Sequence, residues 1–119
     1  MPNDIEIHLH EKEISSEQDL HGTITIKYGE RFDSVVINSQ IENSNDIFRY
    51  ILINGRKISH PYARIPLFKD DIGDKKEIEF IAITSHIPVS DSSSGKFRTS
   101  IIQENKEIAS ALAYVKIIK

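Results

Sequence analysis

The chain has no cysteine among its 119 residues, which excludes disulfides, thiolate metal ligands and thiol nucleophiles. Only five glycines and four prolines are present. The glycines form neither a G-x-G-x-x-G nucleotide loop nor a G-x-S-x-G nucleophile elbow, and no H-E-x-x-H zinc motif occurs. No apolar run approaches the roughly 20 residues of a membrane-spanning helix. The opening stretch MPNDIEIHLHEKE has no basic segment followed by an apolar one, so it does not read as a signal peptide. Together with the missing cysteines, this sets the expectation of a soluble cytoplasmic protein. Enzyme chemistry is not expected either, because the carboxylates are too numerous and scattered to single out a catalytic pair. No cofactor is expected.

What is present is isoleucine: 22 residues, against five leucines and four valines. Its branched β-carbon suits a pleated, half-buried surface, so the bias favours sheet. The clearest strand is LHGTITIKY at 20–28. Leu20, Gly22, Ile24, Ile26 and Tyr28 take one face, and His21, Thr23, Thr25 and Lys27 the other. Ile5, Ile7 and Leu9 repeat the pattern, as do Val35, Ile37, Ser39 and Ile41. A strand over 47–53 runs into Asn54-Gly55, a dipeptide suited to a type I′ turn, with 56–60 as the return strand. Pro61 and Pro66 make HPYARIPLF an edge or a loop. KDDIGDKK reads as a turn, EIEFIAIT as a strand, and the serine-rich stretch at 90–95 as a surface loop.

The carboxy terminus allows two readings. As a hairpin around QENK, it places Ala109, Ala111, Ala113, Val115 and Ile117 on one face. As a helix, Ser100 and Gln103 would form a capping box, with Ile101, Ile108, Leu112 and Val115 in a stripe. Glu104 and Asn105 interrupt that stripe, so the hairpin is preferred. The fold expected is all-β, a single antiparallel β-sandwich domain of six to eight strands over residues 1–119, immunoglobulin-like in character.

Charge is unevenly spread. Residues 49–69 hold five cations and no acid, whereas residues 1–48 carry ten acids against three bases. Arg49, Arg56, Lys57 and Arg64 are therefore the candidate partner-binding residues, with Arg56 and Lys57 just past the hairpin tip. Arginine's planar fork matches carboxylate and phosphate, so the expected partner is a protein, acidic or phosphorylated at its contact. A net charge of −3 and a pI near 5.9 count against nucleic acid. The plain alternative is a solvated face, or a counterpart to the acidic first third.

Three other groups hold potential ligands. His8 and His10 share the outward face of the first strand, and His21 lies on the outward face of the next. With Glu6 or Glu11 nearby, they offer zinc-type donors if the strands pair. A polar surface strand is the commoner outcome, and no metal site is assigned. The acidic loop at 70–74 lacks the alternating register of a calcium loop. SDSSSGK lacks the first glycine of a phosphate loop, and Phe97 stands where a hydroxyl residue should follow the lysine.

The order of features resembles the amino-terminal domain of the arrestin clan, including the related retromer-associated subunit. A glycine-bearing strand leads into alternating apolar residues in LHGTITIKYGERFDSVVINSQIEN. Later, EIEFIAITSHIPVSDSSSGKF resembles its aromatic strand, Ile-Pro and serine-bearing loop. The resemblance implies an arrestin-like sandwich acting as a non-enzymatic adaptor. Where the family has early phosphate-sensing lysines, HLHEKEISSEQD has a single lysine among acids, so no functional residue is carried over. Two alternatives stand beside the adaptor: a self-associating structural subunit and a small metal-binding protein using His8, His10 and His21.

Overall fold

Alternation of isoleucine with polar residues resolves into ten strands in the computed structural model, which describes residues 4–119. In chain order they are β1 (Ile5–Leu9), β2 (Glu13–Ser15), β3 (Leu20–Ile26), β4 (Ser34–Ile41) and β5 (Phe48–Ile53). Then come β6 (Arg56–His60), β7 (Ile65–Leu67), the single helical turn α1 (Lys69–Ile72), β8 (Glu77–Thr84), β9 (Ser92–Gln103) and β10 (Lys106–Ile118). One five-stranded sheet has the order β1-β3-β8-β5-β6, and the other β2-β10-β9-β4-β7. Every pairing is antiparallel except that of β2 with the end of β10. The expected all-β sandwich is the fold observed.

The inward faces meet in a single core spanning both sheets. At its centre Phe97 from one sheet packs against Phe48 and Phe80 from the other, with ring centroids 4.8 and 5.8 Å apart. Gly22 lies opposite Phe80 in the β3–β8 ladder, and the Phe80 ring covers it. A Cβ at Gly22 would fall 2.2 Å from the Phe80 Cζ, so this glycine makes room for the aromatic. The hydroxyl of Tyr50 donates to the Ala63 carbonyl oxygen at 2.7 Å, tying the β6–β7 loop to the core. Burial pushes the Tyr50 phenol well above its ordinary pKa, so it stays a neutral donor.

The Asn54-Gly55 turn forms as expected, with φ of 48° and 80° at its two residues. The carboxy-terminal ambiguity resolves to the hairpin, turning on Glu104 and Asn105 with φ of 50° and 65°. Odd-numbered Val115 and Ile117 are buried between the sheets while Leu112 and Tyr114 face outward, an arrangement a helix would scramble. Three details differ from expectation. Two three-residue strands, β2 and β7, raise the count to ten, because three residues are too few to show alternation. The stretch expected as a serine loop is largely strand: Ser92, Ser93, Ser94 and Gly95 open β9 and pair with the end of β10. KDDIGDKK contains one helical turn, where the Asp71 carboxylate accepts from the Phe68 backbone N–H at 3.0 Å.

Candidate functional site

The four cations nominated from sequence do not form one patch. In the β5–β6 ladder Arg56 stands opposite the buried Ile53, and Lys57 opposite Leu52. Neighbours on a strand point to opposite faces, so Arg56 and Lys57 diverge. The Arg56 guanidinium lies 2.6 Å from the Asp71 carboxylate, and that of Arg49 lies 3.7 Å from Glu17. The backbone hydrogen bond from Phe68, together with Arg56, holds the Asp71 carboxyl below its ordinary range. Arg64 sits in the β6–β7 loop, where His60 Nε2 donates to its carbonyl oxygen at 2.7 Å. Among the described residues Lys57 and Arg64 make no ion pair. Of these two, Lys57 sits on the edge strand β6 and Arg64 on a loop.

The histidines do converge. His8, His10 and His21 lie on the outer face of the β1–β3 ladder, with ring centroids 5.3 Å (His8–His10) and 6.4 Å (His10–His21) apart. Glu11 takes both the backbone N–H and the ring Nδ1 of His21, each at 2.7 Å. The acidic loop borders an open groove of about 610 Å³ lined by Asp70, Asp71, Asp74, Glu77 and Glu79. Nothing in it singles out a ligand.

One constellation was invisible in the sequence. His86 is buried, its Nδ1 lies 2.8 Å from the Asp46 carboxylate, and its Nε2 lies 2.9 Å from the Ser93 hydroxyl. The connectivity is that of a nucleophilic relay, but the burial is reversed. A relay needs a reachable serine and a sheltered acid. Here Ser93 is buried while the Asp46 side chain is 60% exposed. The trio therefore acts as a clamp, satisfying a buried imidazole and fastening the 42–47 and 85–91 loops to β9. Its hydrogen bond to His86 holds the Asp46 carboxyl below its ordinary range.

The most exposed large apolar side chains on a regular element belong to β10. Its last residues pair with β2 through Lys116, Ile117 and Ile118, and its other side is taken by β9. Over residues 108–115 the side away from β9 is hydrogen-bonded to no strand among the described residues, and β1 of the other sheet packs close to β10 there. That stretch, IASALAYV, has no charge and no proline. Ile108, Leu112 and Tyr114 are 38%, 50% and 61% exposed on it. Glu107 at its start is neutralised by a two-pronged pair with Arg98 and a bond from Ser100. These contacts hold the Glu107 carboxyl below its ordinary range, the Arg98 bond most of all. The run ALAYV was legible in the sequence. Its significance needed the knowledge that β2 pairs only with the residues beyond it, 116–118.

No protein-family model matches the chain, and no curated protein is similar to it in sequence. Several solved structures share its fold. The reeler domain of human F-spondin is 9% identical with a TM-score of 0.58, over 97% of this chain and 89% of that one. A lipoprotein from Bacteroides thetaiotaomicron is 7% identical with a TM-score of 0.58, over 100% and 82%. BslA, described as a bacterial hydrophobin, is 16% identical with a TM-score of 0.57, over 94% and 96%. At these identities the likeness concerns fold alone.

Two expectations are corrected by these neighbours. The chain folds like reeler, lipoprotein and BslA domains, not like an arrestin or retromer-associated domain. The features behind the earlier resemblance, a glycine in a strand and an Ile-Pro corner, are local devices that many sandwiches use. The cytoplasmic expectation is overturned as well, since the fold is shared with a lipoprotein. A lack of cysteine is compatible with a reducing compartment but does not require one. Among the described residues no helix is long and apolar enough to cross a membrane.

Proposed function

We propose that this chain is a non-enzymatic interaction module that associates with a second copy of itself along β10. The open, charge-free edge over residues 108–115 carries this reading. An unpaired strand edge presents a row of backbone donors and acceptors, and sheets that must stay alone interrupt it with charge, proline or a bulge. β10 has a bulge only near Glu107 and Ala109, at the start of the run. Beyond it, eight residues extend about 27 Å, enough for a strand-to-strand ladder.

A second copy is the occupant the surface suits best. Antiparallel pairing about a two-fold axis sets an uncharged run against an uncharged run, and two-fold dimers are the commonest assemblies. The acid at the run's entrance is already paired with Arg98 and need not repel its mate. The non-enzymatic part of the proposal rests on the inward-facing serine of the Asp46–His86–Ser93 clamp. A setting at a membrane or outer surface fits the lipoprotein among the fold neighbours.

Sedimentation velocity across a concentration series tests the proposal. Wild type should shift from monomer to dimer, and Leu112→Lys should remain monomeric with unchanged circular dichroism. A wild type that is monomeric throughout would refute it. A second reading keeps an acidic or phosphorylated protein partner, contacted by Lys57 and Arg64, the two nominated cations without an ion pair. Binding of a phosphopeptide that weakens with salt and is lost in Lys57→Glu would support it.

A further inference from the structure

The outer face of β1 and β3 gathers the chain's only cluster of three imidazoles among the described residues, and we propose that His8, His10 and His21 bind a divalent transition-metal ion of the zinc class. The site lies on the outer face of the other sheet, so it is a different surface from the β10 run, although β1 packs on β10.

The ladder fixes the arrangement. His8 pairs with Thr23, and the backbone N–H of His10 donates to the His21 carbonyl oxygen at 2.8 Å. His10 therefore stands beside His21, while His8 lies two residues back on the same face. Zinc bound tetrahedrally at the usual Zn–N length sets neighbouring ring centroids about 5 Å apart. His8 and His10 already meet that separation at 5.3 Å, His10 and His21, at 6.4 Å, need to close by about 1 Å, and His8 must also swing toward His21 across the diagonal of the ladder. All three residues are exposed, so side-chain rotation can supply that movement. No three donors among the described residues yet surround a common point, so the metal would draw the rings together.

The groups behind the rings suit the role. With Nδ1 donating to Glu11, the neutral His21 ring presents Nε2 as a lone-pair donor. A carboxylate behind a ligating imidazole fixes the ring and raises its basicity, the usual second partner of a protein zinc site. Thr23 is bonded to His10 Nε2 at 2.8 Å, leaving Nδ1 of that ring free. Three nitrogen donors favour zinc, nickel or copper over magnesium and calcium, which take oxygen.

The test is zinc(II) titration of the full chain, followed by calorimetry, thermal melting and the histidine ring proton resonances. One zinc should bind per chain, Tm should rise with zinc concentration, and the resonances of all three rings should shift. His10→Ala should abolish the response, and Glu11→Gln should weaken affinity about tenfold. His60→Ala should leave it intact, and magnesium should produce none. No heat and no Tm change at millimolar zinc would overturn the proposal. So would an equal response in a variant lacking His8, His10 and His21.

Discussion

β6 and β10 each have a side without a strand partner, and they manage it in opposite ways. β6 is five residues long, begins with Arg56-Lys57, stops at Pro61, and pairs with β5 through an irregular register. Each of these features discourages another strand from docking. β10 is thirteen residues long, and over residues 108–115 it has neither charge nor proline. The basic stretch that stands out in the sequence lies largely on the protected edge, while the unremarkable alanine-rich stretch forms the open one. The difference teaches that two unpaired sides of one sandwich can differ wholly in what they offer an approaching strand: charge, proline and an irregular register at β6, an uncharged run at β10.

The largest expected effect removes the comparison altogether. Phe97→Ala would empty the space between Phe48 and Phe80 and should cost about 3–5 kcal/mol in urea unfolding, abolishing both edges with the fold. Next, Leu112→Lys should eliminate association in sedimentation while changing stability by about 0.5 kcal/mol or less, as an exposed substitution does. A more searching change makes β6 resemble β10. Lys57→Ile with Ser59→Ile should create a second open edge, and assemblies larger than dimers should appear by light scattering.

Acid provides a smaller effect. The Glu107 carboxyl is held low by Arg98, so its stabilising contribution is complete above the ordinary carboxylate pKa and is lost as pH falls through the lower folded value. Wild type should therefore lose slightly more stability than Glu107→Gln across that acid window, and the two should run parallel below it in pH-dependent melts. Smallest of all, Arg56→Ala removes an exposed pair with Asp71 and should cost under about 1 kcal/mol by denaturant unfolding, without altering association.

Much of the fold was legible because isoleucine alternation states which face is buried. Ile5, Ile24, Ile37 and Ile78 all lie in the core, and Asn54-Gly55 turns where its backbone preference requires. Short β2 and β7 offered too little pattern, and the opening serines of β9 carry turn chemistry yet lie in a strand because the end of β10 pairs with them. The candidate sites were legible only as lists of residues. Whether Arg56 and Lys57 act together depends on strand parity, and Asp71 neutralises one of them from outside the basic stretch. The three histidines converge because β1 and β3 pair, which alternation suggested without proving. His86 joins Asp46 and Ser93 across 40 and seven residues, a separation at which sequence spacing carries no signal. The open edge depends on where β2 stops, a boundary set by tertiary packing.

The central claim is that β10 pairs with itself, and it is most directly tested by hydrogen exchange of the backbone amides at 108–115 at low and high protein concentration. The account predicts that protection of the amides facing away from β9 rises with concentration in wild type and stays low in Leu112→Lys. Protection independent of concentration, with those amides exchanging as freely in the concentrated sample as in the dilute one, would contradict it.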